Sequence, residues 1–282
     1  MSQAAQSLER FRALVNRPDE AINLAEAALA IAQQEYLDLE PRRYLDMLGA
    51  MALEVSRSLK PVTAVGERIE ALNAYLFGAA GFRGNNTEYY DPRNSFLNQV
   101  LERRTGIPIT LSVVYLEVGW RLGIPLEGVP FPGHFLVKCE VPEGLAVLDP
   151  FDGGCQVALE ELRRRLTLVW GRAVTTDEVF AQLAATATRR DILVRMLRNL
   201  KAIYVNRPDD TAALAVVERI LALRPDDPAE LRDRGIIYEN LECFRAAQAD
   251  LERYLLLAPQ APDADMVRRR LKDVVDRVAR LN

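Results

Sequence analysis

Apolar residues recur at intervals of three and four through 20–32, 43–55 and 64–77, with polar residues kept to the opposite side. That period predicts three amphipathic helices in the first eighty residues, the third ending at Gly78. The texture then changes. AAGFRGNNTEYYDPRNSFLNQVLERRTGIP, from residue 79, is crowded with Gly, Asn, Asp and Pro, each a turn former for its own backbone reason. A helix over 108–122 follows, stopped by Gly123 with Pro125 just beyond. Two short strand-like runs, 135–141 and 145–148, flank Val-Pro-Glu-Gly and predict a hairpin.

From about residue 175 the period returns to that of helices, opening on Thr175 and Glu178 at capping-box spacing. Here the pattern repeats. Leu231, Gly235, Tyr238, Ala247, Leu251, Tyr254 and Pro259 fall at the phases of a tetratricopeptide repeat, and the preceding unit ends at Pro225, 34 residues earlier. In that earlier unit Lys201 stands where the small glycine belongs. A last helix over 265–281, charged on one face, reads as a cap. Asn94 with Ser95 reads most simply as the N-cap of a helix over 95–103, and the Arg103–Arg104 pair as solvated charge at its end.

Composition narrows the function classes. The chain of 282 residues carries a formal net charge of −4, so no overall basic footprint marks it for nucleic acid or an anionic membrane. Arginine outnumbers lysine 32 to 4, most simply a coding bias. No apolar leader opens the sequence and no run approaches a membrane span, so a cytoplasmic protein is expected. Cys139, Cys155 and Cys243 are an odd number without a paired motif, which argues against a disulfide framework or a zinc site; Cys139 and Cys155 read as small apolar side chains. No cofactor or metal is expected.

The candidate chemistry centres on His134, the only histidine in the chain. Alternation along the first hairpin strand puts His134, Leu136 and Lys138 on one face and Phe135, Val137 and Cys139 on the other. With the register set by the turn, Asp149 lies opposite Leu136 and diagonal to His134 on the same face. Asp149 would then hold the imidazole tautomer, as the orienting acid does in a catalytic triad. A one-residue slip would separate them. The helix start expected to carry a nucleophile offers Pro108 instead, at the first helical position where proline is favoured. Ser112 lies one turn deeper, roughly 6 Å along the axis, and Thr110 points about 200° away round the helix.

Three stretches, YYDPRNSFLNQVLERRTGIPITLS, LGIPLEGVPFPGHFLVK and LDPFDGG, occur in order and are followed by the repeats. Together they resemble the SirB-type family, bacterial proteins that join a transglutaminase-like core to C-terminal tetratricopeptide repeats and are often labelled regulators of sirC expression. The resemblance implies an α+β fold: a helical region over 1–84 packed on a papain-like core over 85–172, then a repeat domain over 173–282. It also implies that His134 and Asp149 match the histidine and aspartate of a Cys-His-Asp triad whose cysteine position holds Pro108. Cysteine-dependent transamidation or proteolysis is therefore not expected. The expected function is non-catalytic protein interaction or regulation. A peptide cleft would include Asn94, Arg103 and Ser112, and the repeats would recruit a protein partner. The alternative is a cysteine-independent hydrolase or acyltransferase in which His134 activates water or Ser112 and Asp149 orients it.

Overall fold

The computed structural model describes residues 3–280, and its fold is α+β. The chain opens with helix α1 (Gln3–Val15), then α2 (Leu24–Ala32), α3 (Pro41–Arg57) and α4 (Val65–Asn73). Asn23 starts α2 by accepting the Glu26 amide at 3.1 Å. Of the nine residues of α2, eight are buried. It is not amphipathic, as the period suggested, because alanines and leucines occupy every side, and it forms the centre of a helical layer. A π-helical turn over Ala74–Ala79 carries the chain from α4 to β1 (Arg83–Gly84).

Next come α5 (Leu97–Arg103), β2 (Thr105–Gly106) and α6 (Pro108–Arg121), with Pro108 through Gly119 all buried. β1 and β2 pair in parallel, and the main sheet is antiparallel in the order β3 (Glu127–Val129), β4 (Leu136–Val141), β5 (Gly144–Asp149), β6 (Cys155–Gln156). β4 is central and buried on both faces, from Leu136 to Cys139. On one face Leu136 and Val147 pack with Val129, Phe131 and the apolar stripes of α7 (Leu159–Trp170) and α8 (Thr176–Ala184). α8 starts at the capping box anticipated from spacing: the Glu178 amide donates to Thr175 Oγ1 at 3.3 Å, and the Thr175 amide to Glu178 Oε2 at 2.8 Å.

The remaining helices are α9 (Arg189–Asn206), α10 (Asp210–Leu223), α11 (Pro228–Asn240), α12 (Phe244–Leu257) and α13 (Ala264–Arg280). Residue 281, included in the expected last helix, lies outside the described residues. The chain divides into two compact units, Pro18–Met196 and Met1–Arg17 with Leu197–Asn282. This differs from a division at 84 and 172. α1 buries Phe11 and Val15 and packs on α10, with Arg219 donating to Ser7 Oγ at 2.8 Å, so α1 belongs with the repeats. An apolar stripe announces that a helix packs, not on which partner. Among the described residues no helix is long and apolar enough to cross a membrane.

Within the repeat unit, Gly235 lets α11 meet α12: an added Cβ would lie 2.8 Å from Leu251 Cδ2. At the equivalent phase Lys201 is a functional replacement rather than a defect. Its Nζ donates to Glu230 Oε2 at 2.6 Å and to Asp233 Oδ2 at 2.9 Å, while Arg198 Nε reaches Glu230 Oε1 at 3.0 Å. Glu230 is 1 % exposed, so its charge depends on these partners. Replacing Lys201 with alanine, a better helix former, is expected to cost about 2 kcal/mol through the lost charged hydrogen bonds. A lower urea midpoint checks this; an unchanged one would mean that Arg198 alone suffices.

Candidate functional site

The hairpin brings the chemistry together. β4 and β5 pair with Val137 opposite Leu148 and Val141 opposite Gly144, so continuing the ladder puts Leu136 opposite Asp149. His134 lies two residues before β4, in a bend where its amide donates to Phe131 O at 2.9 Å. From there its Nε2 sits 2.8 and 2.9 Å from the two Asp149 carboxylate oxygens.

Asp149 is 1 % exposed and accepts two further bonds: Arg165 Nη1, from α7, donates to Oδ2 at 2.8 Å, and the Phe151 amide donates to Oδ1 at 3.1 Å. Burial alone would raise the carboxyl pKa; the hydrogen bonds and charges of His134 and Arg165 outweigh it and hold the group below its ordinary value. An ionised carboxylate can only accept, so the His134 proton resides on Nε2. Nδ1 then carries a lone pair when the ring is neutral, and it has no protein partner among the described residues. The side chain is 17 % exposed. Sequence reasoning missed Arg165, because Glu161 four residues before it on the same helix suggests only an ordinary surface ion pair. That pair exists, at 2.8 Å, but the same guanidinium also spans to Asp149.

The walls are held by residues with little freedom. Phe151 meets His134 edge to face, with centroids 5.8 Å apart. It fits because residue 84 is glycine: a Cβ there would lie 2.6 Å from the ring and 2.8 Å from Phe151 O. β1 holds Gly84 in place through Arg83 N to Arg104 O and Asn85 N to Gly106 O, both 2.9 Å. Beyond Asp149 the chain turns through Gly153 and Gly154, both at positive φ. Gly154 O accepts from Asn73 Nδ2 at 2.9 Å, and Asn73 Oδ1 accepts from the buried Tyr115 hydroxyl at 2.8 Å. Burial raises the Tyr115 pKa, followed by the charge of Cys139, so the phenol stays a donor.

The start of α6 has Pro108 at its first position, as expected. Thr110, which the helical angle turns about 200° from the Pro108 position, caps the helix. It accepts the Ile107 amide at 3.1 Å and donates to Asn94 O at 2.7 Å. Ser112 is fully buried, with its hydroxyl 3.5 Å from Phe135 O. Asn94 is neither an N-cap of α5, whose N-cap is Phe96, nor a group facing a cleft. It is fully buried; Oδ1 accepts from Asn85 and Arg103, and Nδ2 donates to Glu88 O and Tyr89 O. All its capacity is spent stitching the turn-rich loop. Arg103 is a quarter exposed and spends one Nη on Asn94 at 3.3 Å. Of the candidates, the structure brings His134 and Asp149 together; Asn94 and Ser112 are buried packing and loop-stabilising groups.

The thiols differ from each other. Cys139 is buried, which raises its pKa. Cys155 is exposed, not the apolar filler anticipated, and pairs across the strands with Asp149. Its thiol donates to Asp152 Oδ2 at 3.4 Å, and burial of the sulfur together with that carboxylate pushes it up to about 11. It is a poor thiolate.

Comparison with known proteins agrees with this architecture. Residues 42–198 match the transglutaminase-like superfamily, and 200–272 match the tetratricopeptide repeat. A UPF0162 protein of Xylella fastidiosa is 46 % identical over 95 % of both chains. A UPF0162 protein of Vibrio cholerae is 32 % identical over 88 % of this chain and 91 % of its own. Protein SirB1 of Salmonella typhimurium is 27 % identical over 89 % of this chain and 92 % of its own. No solved structure matches. With one family model spanning over half the chain, a repeat model following it, and full-length relatives on both sides of 30 % identity, the chain belongs to the SirB-type family of transglutaminase-like proteins with C-terminal tetratricopeptide repeats.

Proposed function

We propose that this protein is a non-catalytic interaction protein, a pseudoenzyme whose core retains a histidine–aspartate pair as a recognition element while its repeats recruit a protein partner. One observation carries the reading: the pair is intact, and among the described residues none of the candidate nucleophiles is competent. Pro108 supplies none, Thr110 is committed to its cap, Ser112 is buried, and the Cys155 thiol is disfavoured as a thiolate. With Nε2 engaged by Asp149, Nδ1 is the free acceptor, suited to a ligand N–H or O–H. Binding, not bond cleavage, then accounts for keeping the pair. The same free Nδ1 supports a second reading, in which His134 acts as general base on water.

One set of samples distinguishes them. The lone imidazole gives one titrating NMR signal, followed in wild type and in Asp149→Asn. The pair predicts a changed tautomer and a displaced imidazole signal in the variant. Wild type is then offered an activated ester and, separately, a glutamine peptide with an amine. The expected result is no turnover above the His134→Ala background. Turnover that dies with His134→Ala and survives thiol alkylation would overturn the non-catalytic reading in favour of water activation.

A further inference from the structure

A cleft, independent of the His134 reading, lies between α4 and the outer edge of β5. It has a volume of about 550 Å³, within the range of ligand sites. Its floor is apolar, made by the buried side chains of Ile69, Ala146 and Leu148. The charged residues lining it are all acidic, Glu67, Glu70 and Glu143. Arg68, the one basic residue of α4, turns away to donate to Thr63 O and Leu122 O. Glu67 uses one oxygen on the Ala64 amide at 3.2 Å, whereas the exposed Glu70 and Glu143 have no hydrogen bond or ion pair among the described residues.

The backbone on this side is also unfinished. β6 is two residues long and pairs only with Leu148 and Asp149. On that side Asp149 O accepts from Gly154 N at 2.8 Å, and Val147 O from Val157 N at 2.8 Å. Backbone groups alternate along a strand, so the N–H and C=O of Leu145 point the same way, beyond the reach of β6. β5 is therefore an edge strand at Leu145, bordered by a cleft instead of by another strand. Edges of this kind accept an added strand.

We propose that this cleft binds an extended, lysine- or arginine-bearing peptide segment of a partner protein by strand addition to β5 at Leu145. One face of the segment would lie on Ile69, Ala146 and Leu148, and its cations would pair with Glu70 and Glu143. The charge of the lining selects a basic segment over an acidic one, and the unpaired edge selects an extended segment over a helix.

The probe is a fluorescein-labelled octapeptide of alternating lysine and valine, titrated into the full chain at low salt, with a glutamate–valine octapeptide as control. The expected result is saturable binding of the lysine peptide only, with the Leu145 amide resonance shifted. Affinity is expected to fall about fivefold to tenfold in Glu70→Gln/Glu143→Gln, two exposed ion pairs being lost. Gly66→Trp is expected to abolish binding by filling the cleft, with an unchanged circular dichroism spectrum and urea midpoint confirming that the variant folds; a Cβ at Gly66 meets nothing within 4 Å. The proposal is overturned by no saturable binding, by equal binding of the acidic peptide, or by binding that survives Gly66→Trp.

Discussion

Gly154→Ala is expected to destabilise the protein by about 4 kcal/mol, whereas Gly153→Ala, one residue earlier, costs about 1 kcal/mol. Both glycines sit at positive φ, 67° and 72°, so both substitutions meet the same backbone penalty. Their surroundings differ. A Cβ on Gly153 meets nothing within 4 Å, but on Gly154 it would lie 2.2 Å from Asn73 Oδ1 and 2.6 Å from Phe77 Cε2. Asn73 must move, and with it the bonds from Tyr115 and to Gly154 O that tie α4 and α6 to the turn after Asp149. Each buried group left unpaired costs about 1–3 kcal/mol, which sets the larger figure. Urea unfolding of both variants measures the difference. Equal losses would mean that the Asn73 bridge contributes nothing beyond the backbone strain. Because the same turn positions Asp149 and Phe151, Gly154→Ala is also expected to disturb the His134 imidazole resonance, and Gly153→Ala to leave it in place.

The two glycines illustrate what a sequence can and cannot disclose. A Gly-Gly pair permits a left-handed turn whatever surrounds it. Which glycine also lacks room for a methyl group depends on Asn73, eighty-one residues away. The same division runs through the site. The Val-Pro-Glu-Gly turn and the period of two were enough to bring Asp149 across from Leu136, because register in a tight hairpin is a local property. Arg165 was invisible, since nothing in its own helix distinguishes it from a surface arginine paired at four residues. A helical wheel hides the role of Thr110 because it compares directions round the axis, whereas a cap bends back along the chain to Ile107 and Asn94. The division into compact units escaped for a related reason: the amphipathic period of α1 shows one buried stripe and no address. Repeat phases fared better, because 34-residue spacing is itself long-range information. Even there, Lys201 gained its meaning only with Glu230 and Asp233 in view.

Asp149→Asn is expected to lower stability by about 3 kcal/mol at neutral pH, with the gap from wild type closing as the solution is made acidic. The substitution keeps the volume but removes the charge that Arg165 and His134 share in a buried place, so two donors lose their strongest acceptor. The pH dependence follows from the depressed carboxyl pKa. An unfolded aspartate titrates near 4, and the folded group titrates lower. The unfolded chain therefore takes up the proton first, and the contribution of Asp149 is complete above about pH 4 and lost as the pH falls through the folded value. Asparagine has no such transition. Comparing the two proteins cancels the other carboxylates, so urea midpoints of wild type and variant, measured from neutral pH to pH 3, should converge at the acid end. A gap that stays constant with pH would mean that packing, not charge, is what the aspartate supplies. A gap absent at neutral pH would mean that Arg165 and the imidazole are satisfied by solvent. In that case the free energy holding His134 in position comes from Phe151 and the bend at Phe131, and the aspartate is conferring tautomer alone.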